Sequence, residues 1–345
     1  PNPRGVAAAV SPARDNLLRP IEGPNREYEY RRLAVLGDLA GGRLTAVCVP
    51  SEGLTQFTTP RADFLANTRT LHPGDLLTRE EITALLLGAG YVRRDRVEGP
   101  GQFSIRGDIL DLFAPDMDKP ARLEFWGDEI DTMHSFDLAT QRRDEPLTKI
   151  HVSPAREVLF GAPEEAAAAL RAYLKKQRGK KRAAMEAVMA PDLAQLDAGM
   201  LPPSMDKYLA VRYPAPATLL DHLDDPLLLI EEPASIREAD RATAYRRSEE
   251  LRGLFEDGVL CAGLDKLYAE PGWLHAQAGR CRTVLAENFA RSLPDQPLKE
   301  LINATAHSLP AWGGEVSALV DDLRPMTGRG LCVTVLAGTE RAAAG

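Results

Sequence analysis

The sequence predicts an α/β framework that is interrupted by a small α+β domain. Near both ends of the chain, aliphatic strand-like segments alternate with helical segments, as is typical of a parallel sheet covered by helices. Between about residues 68 and 157 the pattern changes to short strands in close succession, which indicates an α+β unit. The length of 345 residues agrees with more than one core, because single cores rarely grow beyond about 250–300 residues.

The first part of the framework is expected over residues 1–67. Residues 1–26 are rich in proline and predict an extended lead-in, and Pro1 is not an initiator residue, so we expect an upstream segment. A helix is predicted over 27–40, where apolar side chains recur at helical spacing. These side chains are Tyr30, Leu33, Leu36 and Leu39. The segment LTAVCVP at 44–50 then predicts a buried strand that ends at a proline.

The small α+β domain is predicted over 68–157. Thr78 stands three residues before Glu81, and this capping-box spacing predicts the start of a helix. The helix has one apolar face, formed by Ile82, Leu85, Leu86 and Ala89. The strands that follow are predicted in the segments YVRRDRV, QFSIRGDILDLFAP, ARLEFWGDEIDTMHSFD and KIHVSPA.

The remainder of the chain predicts a mostly helical subdomain over 158–300 and a return to the α/β framework over 301–345. A proline followed by two acidic residues at 163–165 is typical of a helix start. Further framework strands, buried in the sheet, are predicted from apolar runs. These runs are PLLLIEEP at 226–233, CRTVLAEN at 281–288 and LCVTVLAG at 331–338, the last of which returns to the first sheet.

Composition excludes several classes of function. The net charge of −8 and the isoelectric point near 5.4 disfavour a stand-alone nucleic-acid binder, since phosphate affinity needs clustered lysine and arginine. The 4 cysteines are scattered without metal-ligand spacing, so we expect neither a zinc site nor a disulfide framework. No apolar run approaches the roughly 20 residues of a membrane span. No catalytic constellation and no cofactor are predicted.

Two charged motifs have possible links to nucleotide or DNA binding. Glu231 and Glu232 follow an apolar strand, where an ATPase holds magnesium, but the sequence contains no phosphate loop to accompany them. We therefore interpret these acids as a degenerate strand end. A basic run over 175–182 has no interleaved aromatic residue for base stacking, and a solvated helix face is the favoured interpretation. Its members are Lys175, Lys176, Arg178, Lys180, Lys181 and Arg182.

The segment ARLEFWGDEID carries the strongest indication of a binding surface. Alternation in a strand places Ala121, Leu123 and Phe125 on one face, which suits a core. The opposite face holds Arg122, Glu124 and Trp126, and tryptophan and arginine are enriched at binding hot spots. The same alternation in QFSIRGD sets Phe103 and Ile105 against Ser104 and Arg106. From strand geometry alone, packing of Trp126 under a neighbouring domain is an equal alternative.

Residues 74–157 resemble the domain shared by UvrB and the bacterial transcription-repair coupling factors (Mfd). The matching segments are GYVRRDRVEGPGQFSIRGDILDLFAP, ARLEFWGDEIDTMHSFDLATQR and VSPARE. The resemblance implies a helicase-like, degenerate parallel framework in which 1–67 is similar to UvrB domain 1a, 68–157 to domain 2 and 158–300 to domain 1b. It also implies that the small domain binds UvrA. The implied UvrA contacts are Arg106, Arg122, Glu124 and Trp126, the last of which is more often phenylalanine in the family.

The resemblance implies a bacterial, cytoplasmic protein-docking module that recruits UvrA and does not hydrolyse ATP. The other domains of a longer chain would bind RNA polymerase and DNA. Two alternatives remain open. One is the N-terminal half of a UvrB-type ATPase and damage-verification protein, which would require an upstream phosphate loop. The other is a DNA-binding module that uses the basic run, which would show steep salt dependence.

Overall fold

A computed structural model of the chain describes residues 6–19, 25–288, 299–303 and 316–331. The chain divides into two compact units, residues 1–291 and residues 292–345. In the second unit the described part comprises 299–303 and the residues around one helix. The strand predicted at 331–338 lies outside the described residues, except for Leu331. No described helix is both long enough and apolar enough to cross a membrane.

The described strands are short and most of them fall in the small domain. They are β1 (Ala8–Val10), β2 (Ala46–Cys48), β3 (Arg69–Leu71), β4 (Val92–Arg93), β5 (Gln102–Arg106), β6 (Ile109–Phe113), β7 (Ala121–Trp126), β8 (Glu129–Phe136), β9 (Arg143–Pro146), β10 (Ile150–Val152), β11 (Leu227–Glu231) and β12 (Arg282–Ala286).

The described helices fall mainly outside the small domain. They are α1 (Glu27–Ala40), α2 (Ser51–Leu54), α3 (Arg61–Ala66), α4 (Arg79–Gly88), α5 (Pro163–Lys175), α6 (Gly179–Asp197), α7 (Leu209–Arg212), α8 (Pro233–Glu256), α9 (Trp273–Ala278) and α10 (Val316–Gly328). Single 3-10 turns occupy Met205–Tyr208 and Leu219–His222.

The structure confirms the two helices that the sequence predicts most clearly. Helix α1 has the predicted bounds, with Leu33 and Leu36 buried on its apolar face. Helix α4 begins at the predicted capping box, in which Thr78 accepts a hydrogen bond from the backbone of Glu81 and the Glu81 carboxylate accepts one from the backbone of Thr78. These reciprocal bonds satisfy two of the free N–H groups at the helix start.

The small domain is built on a six-stranded sheet with the order β4-β5-β6-β7-β8-β9. Strand β4 runs parallel to β5, and every other neighbouring pair is antiparallel, so the predicted meander of strands is confirmed. The core of the domain lies between α4 and the inner face of the sheet. The first predicted strand, over 91–97, is shorter than expected, because only Val92 and Arg93 pair with β5.

The framework strands differ from the prediction of buried strands. Strand β2 pairs in parallel with β1, which forms inside the predicted lead-in, and both are exposed along alternate residues. Strand β11 pairs in parallel with β12, and Leu227 and Leu229 of β11 lie on an exposed face. Each pair is a separate two-stranded sheet among the described residues. Only alternate residues of these strands are partly shielded from solvent, although their sequences are apolar.

A buried ionic cluster joins the framework to the point where the chain leaves the small domain. The Glu157 carboxylate accepts hydrogen bonds from Arg32, with a distance of 2.7 Å from Nε to Oε1, and pairs with Nε of Arg14 at 3.2 Å. Arg14 also donates from Nη1 to Asp206 at 2.7 Å. The backbone N–H of Glu157 donates to Glu29 at 3.0 Å. All five residues are buried, so the cluster links four distant chain segments inside the protein.

The arginines of this buried cluster favour the ionised form of Glu157. Burial alone would raise the pKa of its carboxyl group, but the neighbouring charges of Arg14 and Arg32 outweigh that effect and lower the pKa below its usual value. Glu29 shows the opposite balance. Burial raises its pKa, and the negative charges of Asp206 and Glu157 add to that effect against Arg14. Glu157 is therefore an ionised carboxylate that pairs with both arginines, and Asp206 compensates Arg14 as well.

We predict that Glu157→Ala strongly destabilises the chain. Removing one partner of a buried ion pair leaves uncompensated charge and typically costs about 3–5 kcal/mol. The matched control is Asp197→Ala, which removes an exposed salt bridge to Arg171 and is expected to cost within about 1 kcal/mol. Urea denaturation of the two variants measures both losses in the free energy of unfolding. Similar losses in both would show that the buried cluster does not hold the fold together.

Candidate functional site

The outer face of the small-domain sheet holds the residues that strand alternation selects. The three residues expected in the core, Ala121, Leu123 and Phe125, are buried on the inner face. Trp126 lies on the outer face with 83% of its surface exposed. Trp126 therefore points outward from the sheet, as strand alternation predicts, and among the described residues it is left largely uncovered.

Register across the sheet brings the two predicted arginines to a single carboxylate. Asp111 on β6 lies directly opposite Arg122 on β7 and opposite Ser104 on β5. Arg122 donates to both oxygens of Asp111, from Nε at 2.7 Å and from Nη2 at 2.9 Å. Arg106 donates from Nη2 to Asp111 Oδ2 at 2.9 Å. Such two-pronged arginine–carboxylate pairs fix both the position and the orientation of the guanidinium group.

Asp111, which pairs with both arginines of this face, was not among the residues predicted from the sequence. Its side chain is only 1% exposed, although it lies on the side of the sheet that was expected to face solvent. The available signal is an acidic residue in the middle of the apolar strand ILDLF, where a buried charge needs a charged or hydrogen-bonding partner. That signal identifies a paired carboxylate, but the partner can be named only once the register of the strands is known.

Two residues of the outer face, Arg122 and Ser104, are largely covered. The Arg122 side chain is 13% exposed, and its guanidinium lies 4.8 Å from the centre of the Phe136 ring. Hydrogen bonding to Asp111 raises the pKa of Arg122 against the effect of burial. Ser104 is buried as well, and its hydroxyl donates to the carbonyl of Asp95 at 2.8 Å. Arg106 remains 54% exposed and is the more accessible arginine.

Glu124 lies on the same face and is already engaged within the domain. Its carboxylate forms a salt bridge with Arg143 of β9 and accepts a hydrogen bond from the Thr132 hydroxyl at 3.4 Å. The Glu124 side chain is 23% exposed, whereas the Arg143 side chain is 51% exposed. Any contact at this point of the surface would therefore meet the Arg143 guanidinium as well as the carboxylate.

A register shift in the sheet sets the position of Trp126. Glu124 pairs with Thr132, but Phe125 pairs with Ile130, so β8 has one extra residue between these pairs. Bulges of this kind bend a strand and redirect the following side chains. Trp126 is then followed by Gly127 in the left-handed conformation, with φ of +66°, which turns the chain into β8. The tryptophan thus stands at the end of the hairpin, held by paired backbone on β8.

The other predicted motifs lie outside this face. Glu231 ends β11, and Glu232 adopts a left-handed backbone conformation with φ of +50° before α8. The Glu232 carboxylate accepts hydrogen bonds from the backbone and the side-chain amide of Asn288, at 3.0 and 2.7 Å. The basic residues over 175–182 are exposed around the turn between α5 and α6. Within the described part of the chain, no group of three or more potential metal ligands converges.

Both the small domain and the chain around it are similar to known proteins. Residues 70–158 match the family model of the UvrB interaction domain. The transcription-repair-coupling factor of Bacillus subtilis is 27% identical over 322 residues, which cover 90% of this chain and 27% of that protein. The corresponding factor of Myxococcus xanthus is 35% identical over 150 residues, which cover 43% of this chain and 12% of that protein.

The similarity extends well beyond the small domain. The transcription-repair-coupling factor of Staphylococcus aureus (strain MRSA252) is 25% identical over 256 residues, or 72% of this chain. The chain spans about a quarter of the length of these relatives, from 22% in the Staphylococcus protein to 27% in the Bacillus protein. Residues 70–158 therefore form a UvrB interaction domain, and the chain is a UvrB-like module of the kind found in transcription-repair-coupling factors.

Proposed function

We propose that this chain is a protein-docking module that binds UvrA and thereby recruits it in transcription-coupled nucleotide excision repair. The match of residues 70–158 to the UvrB interaction domain supports an interaction role for the small domain. The observation that carries the proposal is the outer face itself, where Trp126 is exposed on the same face as two arginines that Asp111 holds in place. Tryptophan and arginine in such a setting are the residue types that dominate binding energy.

The charge balance of the face favours an acidic group on UvrA. Two guanidinium groups, those of Arg106 and Arg122, share the single carboxylate of Asp111, so this part of the surface retains positive charge. The fixed geometry lowers the cost of ordering long side chains on binding. Arg106 has exposed donors that can meet a carboxylate, and Trp126 offers a flat apolar area beside them. Arg122 and Glu124 would contribute mainly by shaping this surface.

The surrounding framework is proposed to be a non-hydrolysing, helicase-like scaffold. Its parallel strand pairs β1–β2 and β11–β12 agree with an α/β framework at the coarse level. The sequence has no G-x-x-x-x-G-K-S/T segment, and the Glu232 carboxylate is occupied by Asn288. RNA polymerase and DNA would be bound by other parts of a longer protein. The UvrB-type ATPase alternative would require a phosphate-binding loop, and this sequence contains none.

We predict that Trp126→Ala and Arg106→Ala fold normally and lose affinity for UvrA. Both side chains are more than half exposed, and surface changes typically alter stability within about 0.5 kcal/mol. Hot-spot truncation costs about 2 kcal/mol or more, which is roughly a thirtyfold loss of affinity. Arg122 is less suitable for this test, because replacing it leaves buried Asp111 without its main partner. Thermal melting and titration with UvrA give the two readouts.

The control for this experiment replaces Lys180, Lys181 and Arg182 together by alanine. These residues are exposed and lie on α6, away from the sheet of the small domain, so UvrA affinity should stay unchanged. A large loss in the control would move the interface to the helical subdomain. Normal UvrA binding by both Trp126→Ala and Arg106→Ala, with normal melting, would contradict the proposed site.

We also predict that the purified chain does not hydrolyse ATP. Nucleotide hydrolysis requires a backbone cradle for the phosphates together with a magnesium-holding carboxylate, and only the strand-end acids Glu231 and Glu232 are present. Release of inorganic phosphate, measured with and without duplex DNA, should stay at the level of a no-protein blank. Turnover that disappears in the Glu231→Gln variant would reverse this conclusion and favour the ATPase alternative.

A further inference from the structure

Leu76 is an exposed apolar residue that the docking proposal does not use. Among the described residues up to 288, the two most exposed large hydrophobic side chains are Trp126 at 83% and Leu76 at 75%. Isolated exposed leucines need no explanation, but adjacent exposed hydrophobic side chains mark interaction sites more reliably. Leu76 lies just before α4, distant in sequence from β7, so its position relative to Trp126 depends on the fold.

Backbone pairing sets Leu76 in the same row as Trp126. Leu76 forms an antiparallel bridge with Glu129, and Glu129 is in turn the register partner of Trp126. Directly paired residues in antiparallel strands present their side chains on the same face. The three side chains therefore follow one another across the outer face as Leu76, Glu129 and Trp126. At about 4.8 Å between neighbouring strands, the two hydrophobic residues stand roughly 10 Å apart.

The segment that carries Leu76 is held firmly against the sheet. The backbone N–H groups of Gly74 and Leu77 donate to the carbonyls of Ile130 and Asp128, at 2.7 and 2.8 Å. The N–H of Ile130 donates back to the carbonyl of Asp75 at 2.9 Å. The capping box of α4 begins two residues after Leu76. The exposed leucine thus stands on paired and capped backbone, which reduces the entropy lost when a partner covers it.

The side chain of Arg79 also ties the start of α4 to the turn between β5 and β6, next to Arg106. Arg79 donates from Nη1 to the carbonyl of Gly107 at 3.0 Å and pairs through Nη2 with Asp108 at 2.8 Å. Asp108 in turn accepts a hydrogen bond at its carbonyl from the N–H of Phe125, at 2.8 Å. Arg106 on β5, Trp126 on β7 and Leu76 before α4 therefore lie toward the same end of the sheet.

We infer that Leu76 is a second apolar anchor of the docking surface, an inference that rests on the proposed binding of UvrA. The partner surface that fits has two apolar contacts about 10 Å apart, one for Leu76 and one for Trp126. Exposed Glu129 lies between these two contacts, so UvrA presents a cationic or N–H donor group there. An acidic group on UvrA meets Arg106 beyond Trp126.

The test compares UvrA affinity across single variants of the intact chain. Leu76→Ala removes most of an exposed side chain, so melting should stay at the wild-type temperature. Loss of its buried apolar area in the complex should weaken UvrA binding about tenfold. Leu76→Glu should weaken binding further, because it places a second negative charge beside Glu129. The matched control is Leu229→Ala on β11, which is 69% exposed and should leave the affinity unchanged.

The outcomes separate this inference from the proposed function. If wild type binds UvrA and Trp126→Ala loses binding, while Leu76→Ala and Leu76→Glu both bind like wild type, the anchor role of Leu76 is wrong and the docking function stands. If the wild-type chain does not bind UvrA at all, both proposals are wrong. If Leu229→Ala loses as much affinity as Leu76→Ala, the loss is not specific to this surface and the inference fails.

Discussion

The pairing of Glu157 with Arg14 and Arg32 is the interaction on which the arrangement of the chain depends. Burying a single carboxylate is unfavourable, and burying two guanidinium groups is equally so unless opposite charge is supplied. Here the carboxylate comes from the C-terminal end of the small domain, and the arginines come from the N-terminal segment and from α1. These buried contacts tie the end of the small domain to the N-terminal segment and to α1.

The proposed docking surface, which contains Arg106, Arg122 and Trp126, also has one acid shared by two arginines, but it lies at the boundary with solvent. Asp111 is buried and Arg106 is half exposed, so the buried carboxylate holds the Arg106 guanidinium in place at the protein surface. The surface is presented mainly by paired strands, and its outlying residues are tied to them by backbone hydrogen bonds. A rigid surface of this type loses little entropy on binding, and it favours a partner whose charges are already in matching positions.

The sequence predicted those features that depend on local periodicity. Two-residue alternation placed Phe125 inside and Trp126 outside, since the core and α4 cover one side of β7 only. Features that depend on register were not accessible, because no local signal shows that Asp111 lies opposite Arg122. The strand at 226–233 was predicted as buried from its apolar content alone. Apolar content does not reveal how many faces of a strand are covered, and Leu229 turned out to be exposed.

Strands β3 and β10 pair in antiparallel fashion, with Leu71 opposite Ile150 and Arg69 opposite Val152. The chain therefore enters and leaves the small domain through two adjacent backbones, although about eighty residues separate them. Segments whose ends lie this close can be gained or lost between two points of a host fold with little disturbance to it. The small domain thus has the geometry of a unit inserted at a single point of a host fold.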